Sequence, residues 1–114
     1  ASSSVSVFVN AGTALPATAT ATATIGGGMN AETVAAADVN GDGFIDIVTC
    51  NPAANNWSYL PGMANNTWGA AVNTPTMSQP NGIMIADVNG DKQPDVVATN
   101  GNNAQIQIFL QQCK

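Results

Sequence analysis

The chain has 114 residues, of which 45% are hydrophobic and only 8% are charged, and its formal net charge is −5. It has two lysines, no arginine and no histidine, so it lacks both a basic patch for nucleic acid and the commonest general base. No apolar run reaches the roughly 18 residues that a membrane-spanning helix needs. We therefore expect no nucleic-acid partner, no membrane span and no enzymatic activity.

Two N-terminal segments are predicted to be strands. Residues 5–9 begin with alternating valine and serine, and residues 17–24 alternate alanine and threonine before Ile25. In a strand, that alternation would place the β-branched threonines on one face and the small alanines on the other. For residues 17–24, a loose segment open to O-glycosylation is the alternative to a strand.

The acidic residues are concentrated in two places. Six of the seven acids lie in two nine-residue windows, and only Glu32 lies elsewhere. The six are Asp38, Asp42, Asp46, Asp87, Asp91 and Asp95. Crowded carboxylates repel one another, and a bound hard cation would offset that repulsion.

The window 38–46 has the oxygen donors of a calcium loop. Asp38, Asn40, Asp42 and Asp46 occupy positions 1, 3, 5 and 9, and the backbone carbonyl of Phe44 at position 7 can also point inward. Calcium takes six to eight oxygen ligands with flexible geometry, whereas magnesium demands a stricter octahedron and is the second choice. An Asx-rich turn without an ion is the alternative interpretation.

The window 87–95 repeats this pattern 49 residues later (87 − 38 = 49). Its candidate ligands are Asp87, Asn89, Asp91, Gln93 through its carbonyl, and Asp95. Lys92 stands where the first window has Gly43. If that position needs a positive φ, lysine is strained there and glycine is not, so we predict a weaker second site.

Short apolar and β-branched segments surround both windows, and Gly, Asn and Pro separate them. The predicted strands are residues 34–37, 44–49, 57–60, 68–72, 83–86, 95–99 and 106–110. A looser match aligns residues 58–60 with 108–110 and with 7–9. We predict a single all-β repeat domain over 1–114, with N-terminal strands in 1–27, a first repeat over 28–76 and a second over 77–114.

Two further features favour an extracellular or cell-surface location. Asn56 and Asn65 begin N-glycosylation sequons, and Trp57, inside the first, is expected to be exposed. Cys50 and Cys113 are disulfide candidates. Because their strands should end on opposite rims, a bond to another subunit, or one involving a repacked tail, competes with an intrachain bridge.

The block Asp-Val-Asn-Gly-Asp-Gly-x-x-Asp-Ile-Val resembles the FG-GAP/VCBS repeat family over about residues 25–112. The resemblance implies blades of a β-propeller, as in integrin α-chain heads and secreted lectins. It also implies two calcium ions, each held between the first two strands of a blade. The strand order of the family makes the first repeat a complete four-stranded blade. It leaves the second without its outer strand and makes the N-terminal strands a half-blade.

Two blades do not close a propeller, which typically has four to eight. We therefore expect neighbouring subunits to complete one another head to tail, as a ring or filament. The expected function is a structural subunit of an extracellular polymer. A carbohydrate-binding module using Trp57, Tyr59 or Trp68 is the alternative, and a piece of a longer propeller or an open two-blade module would explain the same strands.

Overall fold

The structure is a computed structural model that describes residues 4–8, 21–24, 31–76, 78–102 and 104–111. Within these ranges the chain forms eleven strands and one short 3-10 turn, Pro52–Ala54. The all-β prediction is confirmed. The strands are β1 (Ser4–Val7), β2 (Ala21–Thr24), β3 (Thr33–Ala37), β4 (Asp46–Asn51), β5 (Asn56–Leu60), β6 (Gly62–Met63), β7 (Thr67–Trp68), β8 (Val72–Pro75), β9 (Pro80–Ala86), β10 (Asp95–Asn100) and β11 (Gln105–Phe109).

The first repeat forms a four-stranded antiparallel sheet in the order β3-β4-β5-β8. All six residues of β4 are buried, because this sheet is covered on both faces. The prediction of the outer strand at residues 68–72 is wrong. Trp68 instead pairs with Gly62 in the small ribbon β6–β7, and the outer strand is β8.

A tight turn explains this shift. Asn65 and Asn66 both have positive φ, at 63° and 54°, a conformation that asparagine tolerates better than most residues. The turn folds Trp68 back, and its indole N–H donates to the carbonyl of Ile45 at 3.1 Å. The chain therefore enters its outer strand later than the apolar pattern indicates.

The second repeat forms a three-stranded antiparallel sheet in the order β9-β10-β11, as predicted. Its register matches the first sheet at an offset of 49 residues, since Ile47 pairs with Leu60 and Val96 pairs with Phe109. The match of residues 58–60 with 108–110 is therefore wrong by one residue, because the third strands also keep the offset of 49.

The central four-stranded sheet lies between two layers. On one face, Ile47 and Leu60 contact Val5 and Val7 of the N-terminal hairpin, in which β1 and β2 pair antiparallel. On the other face, Val48 and Trp57 pack against the second sheet. The N-terminal strands are thus confirmed at Ser4–Val7 and Ala21–Thr24, while residues 9, 17–20 and 25 of the prediction lie outside the described residues.

Candidate metal centres

The first acidic loop joins β3 to β4, as the sequence predicts. Asp38 accepts hydrogen bonds from the backbone N–H of Gly41 at 2.8 Å and of Gly43 at 2.9 Å. Both glycines have positive φ, at 79° and 90°, which glycine adopts without steric cost. The backbone thus curls around the first carboxylate.

The next two candidate ligands are held in the same way. The side-chain carbonyl of Asn40 accepts from the N–H of Asp42 at 3.0 Å, and the Asp42 carboxylate accepts from the N–H of Phe44 at 2.8 Å. Asn40 also donates to the hydroxyl of Tyr59 at 3.0 Å. The loop therefore orients its oxygen donors before any ion binds.

The last carboxylate of the first loop, Asp46, is fully buried at the start of β4. One of its oxygens accepts from the N–H of Val39 at 2.8 Å, and the other accepts from the N–H of Gly62 at 2.6 Å. Gly62 follows β5, so Asp46 links the loop to the end of the third strand of its sheet.

The second loop, between β9 and β10, repeats these contacts. Asp87 accepts from Gly90 at 2.8 Å and from Lys92 at 2.9 Å. The buried Asp95 accepts from Val88 at 3.1 Å and from Gln111 at 2.9 Å. Residue 111 lies 49 positions after residue 62, so the link to the end of the third strand is present in both repeats.

The donor set fits a hard cation. Carboxylate oxygens of Asp87, Asp91 and Asp95 lie within 4.8 Å of one another. Hard cations such as calcium prefer carboxylate, amide and carbonyl oxygens. Elsewhere among the described residues no other cluster of three acidic, histidine or cysteine side chains is this close. The three aspartates of the first loop are therefore less close together than those of the second loop. The candidate ligands of the first loop nevertheless share the hydrogen-bond pattern of the second loop.

Lys92 has φ of 69°, and Gly43 at the equivalent position has φ of 90°. The positive φ expected at this position is confirmed, and a lysine there is strained. Lysine also brings a positive charge to the loop that is proposed to hold the cation.

We expect Lys92→Gly to tighten calcium binding at the second loop by about fivefold, because it removes both the strain and the charge. Isothermal titration calorimetry of both sites measures this change. Lys92→Ala is the control, since it removes the charge but keeps the β-carbon. Equal affinities of the glycine variant and the wild type would show that Lys92 does not weaken the second site. Two equal sites in the wild type, or a tighter second one, would contradict the ranking.

The predicted glycosylation sites differ in their surroundings. Asn65 is exposed in the β6–β7 turn. Asn56 is half-buried, and its side-chain oxygen accepts from Asn51 at 2.8 Å. The prediction that Trp57 is exposed is wrong, since only 9% of the residue is exposed. The second sheet covers it.

Cys50 is a buried free thiol whose sulfur lies 2.8 Å from the hydroxyl of Thr33. A bond from Cys50 to another subunit would require β4 to open. Cys113 lies outside the described residues.

A cleft of about 470 Å³ lies between the two sheets, and the sequence did not indicate it. Its lining includes Trp57, Tyr59, Val72, Phe109 and Leu110. Burial, followed by the nearby charge of Asp46, raises the pKa of the Tyr59 phenol. The phenol therefore stays protonated where Asn40 contacts it.

Blade-like antiparallel sheets with an aspartate-rich loop between their first two strands define a protein of the β-propeller-repeat class. The family model of the FG-GAP-like repeat matches residues 1–49 and 38–98, and the chain belongs to this family. FG-GAP repeats generally bind calcium and are typical of extracellular or cell-surface proteins. Comparisons with curated proteins and with solved structures give no match. Among the described residues, no helix has the length and apolar character needed to cross a membrane.

Proposed function

We propose that this chain is a secreted, non-enzymatic calcium-binding protein that serves as a structural subunit of an extracellular polymer, assembled head to tail by strand complementation. The observation that carries the proposal is the unequal strand count of the layers. Within the described residues, the first sheet has four strands, the second has three and the N-terminal hairpin has two. Repeat proteins bury their faces and edges against neighbouring repeats, and incomplete ends favour association.

Two calcium ions would serve as structural staples in this subunit. The first would be held by Asp38, Asn40, Asp42, Asp46 and the carbonyl of Phe44, and the second by Asp87, Asn89, Asp91, Asp95 and the carbonyl of Gln93. Each would offset two of the three carboxylate charges in its loop and fix the loop between the first two strands of a repeat. The same carboxylates already bind loop N–H groups, which supports a structural role rather than acid–base chemistry.

The open edge of the second sheet is the candidate acceptor for a strand. In the first sheet, β8 pairs with β5 at this position, and no described strand pairs with the equivalent edge of β11. Val72 of β8 lines the cleft beside β11 and is exposed. An added strand would pair with β11 and cover Val72, and we propose that the N-terminal region of a second copy supplies it.

Light scattering coupled to size-exclusion chromatography, with negative-stain microscopy, tests the polymer. In calcium we expect rings or filaments far larger than the 11.5 kDa chain, and EDTA should dissociate them. Magnesium replacing calcium is the control, and it should restore less assembly. A monomer at all concentrations in calcium would refute the polymer function.

The carbohydrate-binding alternative has weaker support from the aromatic residues. The ring of Trp57 packs edge-on against Phe109, with 5.3 Å between centroids and an interplanar angle of 60°. Trp68 lies in the β6–β7 ribbon and is bonded to Ile45. Sugar stacking needs an open aromatic face. Trp57 and Trp68 lie in different places and do not form such a face together. Binding on a glycan array would favour this alternative.

For N-glycosylation of the chain itself, the exposed Asn65 is a better acceptor than the half-buried Asn56.

A further inference from the structure

Within this chain, the first FG-GAP repeat packs against the second through one face of the central sheet. Its apolar residues in contact with the second sheet are Ala35, Val48, Trp57 and Tyr59. The offset of 49 residues makes them equivalent to Met84, Val97, Ile106 and Ile108. We call these four residues the tail face.

The tail face is apolar and uncovered. Trp57 is only 9% exposed, whereas its equivalent, Ile106, is 67% exposed. Met84 and Ile108 are also exposed large hydrophobic residues. A contiguous apolar patch on a sheet face marks an interaction surface.

The opposite end of the molecule carries the matching surface. In the second sheet, the residues that pack on the first are Ile83, Ile85, Val96 and Phe109. Their equivalents in the first sheet are Val34, Ala36, Ile47 and Leu60, and we call these the head face.

The N-terminal hairpin covers only part of the head face. It packs on Ile47 and Leu60, but Val34 remains 54% exposed and Ala36 is exposed too. A depression of about 200 Å³ separates Val5 of the hairpin from Val34 of β3. In the described part of the chain this hairpin has two strands, and the side of the head face at Val34 and Ala36 remains exposed.

We infer that the tail face of one copy of this chain binds the head face of a second copy, centred on Val34. The contact between the two repeats within the chain is already a tail-type face against a head-type face, so the proposed contact continues that interface. It rests on the proposed polymer function and specifies which surfaces meet. Because the two surfaces differ, the contact is heterologous and leads to a ring or an open filament.

Two variants, each studied alone and then in an equimolar mixture, test this arrangement. Ile106→Asp with Ile108→Asp disables the tail face, and Val34→Asp disables the head face. Each should weaken self-association by about a hundredfold, because an unpaired charge is costly to bury in an apolar contact. An equimolar mixture should form dimers that do not grow, because one copy keeps a working tail face and the other keeps a working head face.

Met63→Asp is the control, since Met63 is exposed but belongs to neither face, and it should assemble like the wild type. Circular dichroism checks folding, and Val34→Ser and Ile106→Ser replace any aspartate variant that does not fold. If Val34→Asp associates normally while the tail variant does not, the tail faces meet each other and the inference is wrong. If both variants polymerise normally, the polymer function stands but this contact is refuted, whereas a monomeric wild type refutes both.

Discussion

Removal of calcium with EDTA is expected to lower the thermal unfolding midpoint of this chain by ~20 °C. An ion that binds only the folded state contributes about 2.7 kcal/mol when its free concentration is 100 times its dissociation constant. Two such sites contribute about 5 kcal/mol, and in a domain of this size each kcal/mol shifts the midpoint by about 4 °C.

The structure gives the reason for so large an effect. Without an ion, Asp87, Asp91 and Asp95 hold carboxylate oxygens within 4.8 Å of one another, and their mutual repulsion opposes the fold. Differential scanning calorimetry in calcium and in EDTA measures the shift. Glu32→Gln is a control that removes an acid outside both loops and should leave the shift unchanged. A shift of no more than about 2 °C would mean that the loops are Asx turns without a structural ion.

Gly62→Ala is expected to destabilise the chain by about 2–5 kcal/mol, since it combines overpacking with the loss of a buried hydrogen bond. A β-carbon at Gly62 would overlap the backbone carbonyl of Ile45. Because the overlapped atoms belong to the backbone, they cannot rotate away as the end of a flexible side chain could. The N–H of Gly62 would then withdraw from Asp46, leaving a buried carboxylate oxygen without that donor.

Urea unfolding in saturating calcium measures this loss. Gly101→Ala is the matched control, because its β-carbon would meet the end of the Asn81 side chain, which can shift at the cost of a solvent-exposed hydrogen bond from Thr99. We expect the control to change the free energy of unfolding by less than about 1 kcal/mol. A Gly62 variant as stable as the wild type would show that the loop does not depend on its link to β5.

The loops and the strands beside them were predictable because their signals are local. The spacing of Asp38, Asp42 and Asp46 sets which oxygens converge, and the β-branched residues that follow favour a strand. Repetition of the same letters in the second window fixed the repeat length. These features depend on neighbours in the sequence, which a single sequence displays.

Contacts between distant residues were not predictable. The indole of Trp68 finds its acceptor at Ile45, 23 residues earlier, and this contact moves the outer strand to β8. Trp57 lies in a sequon yet is buried, because its environment is set by the second sheet. Surface patterns in the sequence do not indicate which sheet face another repeat covers.

The partners of the buried carboxylates left no sequence signal either. The hydrogen bond that ties Asp46 to the end of the third strand comes from a glycine, and the one that ties Asp95 there comes from a glutamine. Only the backbone N–H is used, so the hydrogen bond itself selects no side chain, although at Gly62 the carbonyl of Ile45 leaves no room for a β-carbon. The equivalence of residues 62 and 111 becomes visible once the register of the sheets is known.

The link from Asp46 to Gly62 has a mechanical consequence. A pulling force that peels β5 from β4 would have to break this bond early, and it would act on the carboxylate that faces the calcium loop. In the second repeat the same load would reach Asp95 through Gln111. If the subunits assemble as proposed, the filament would yield under tension at a force set by the calcium concentration of its surroundings.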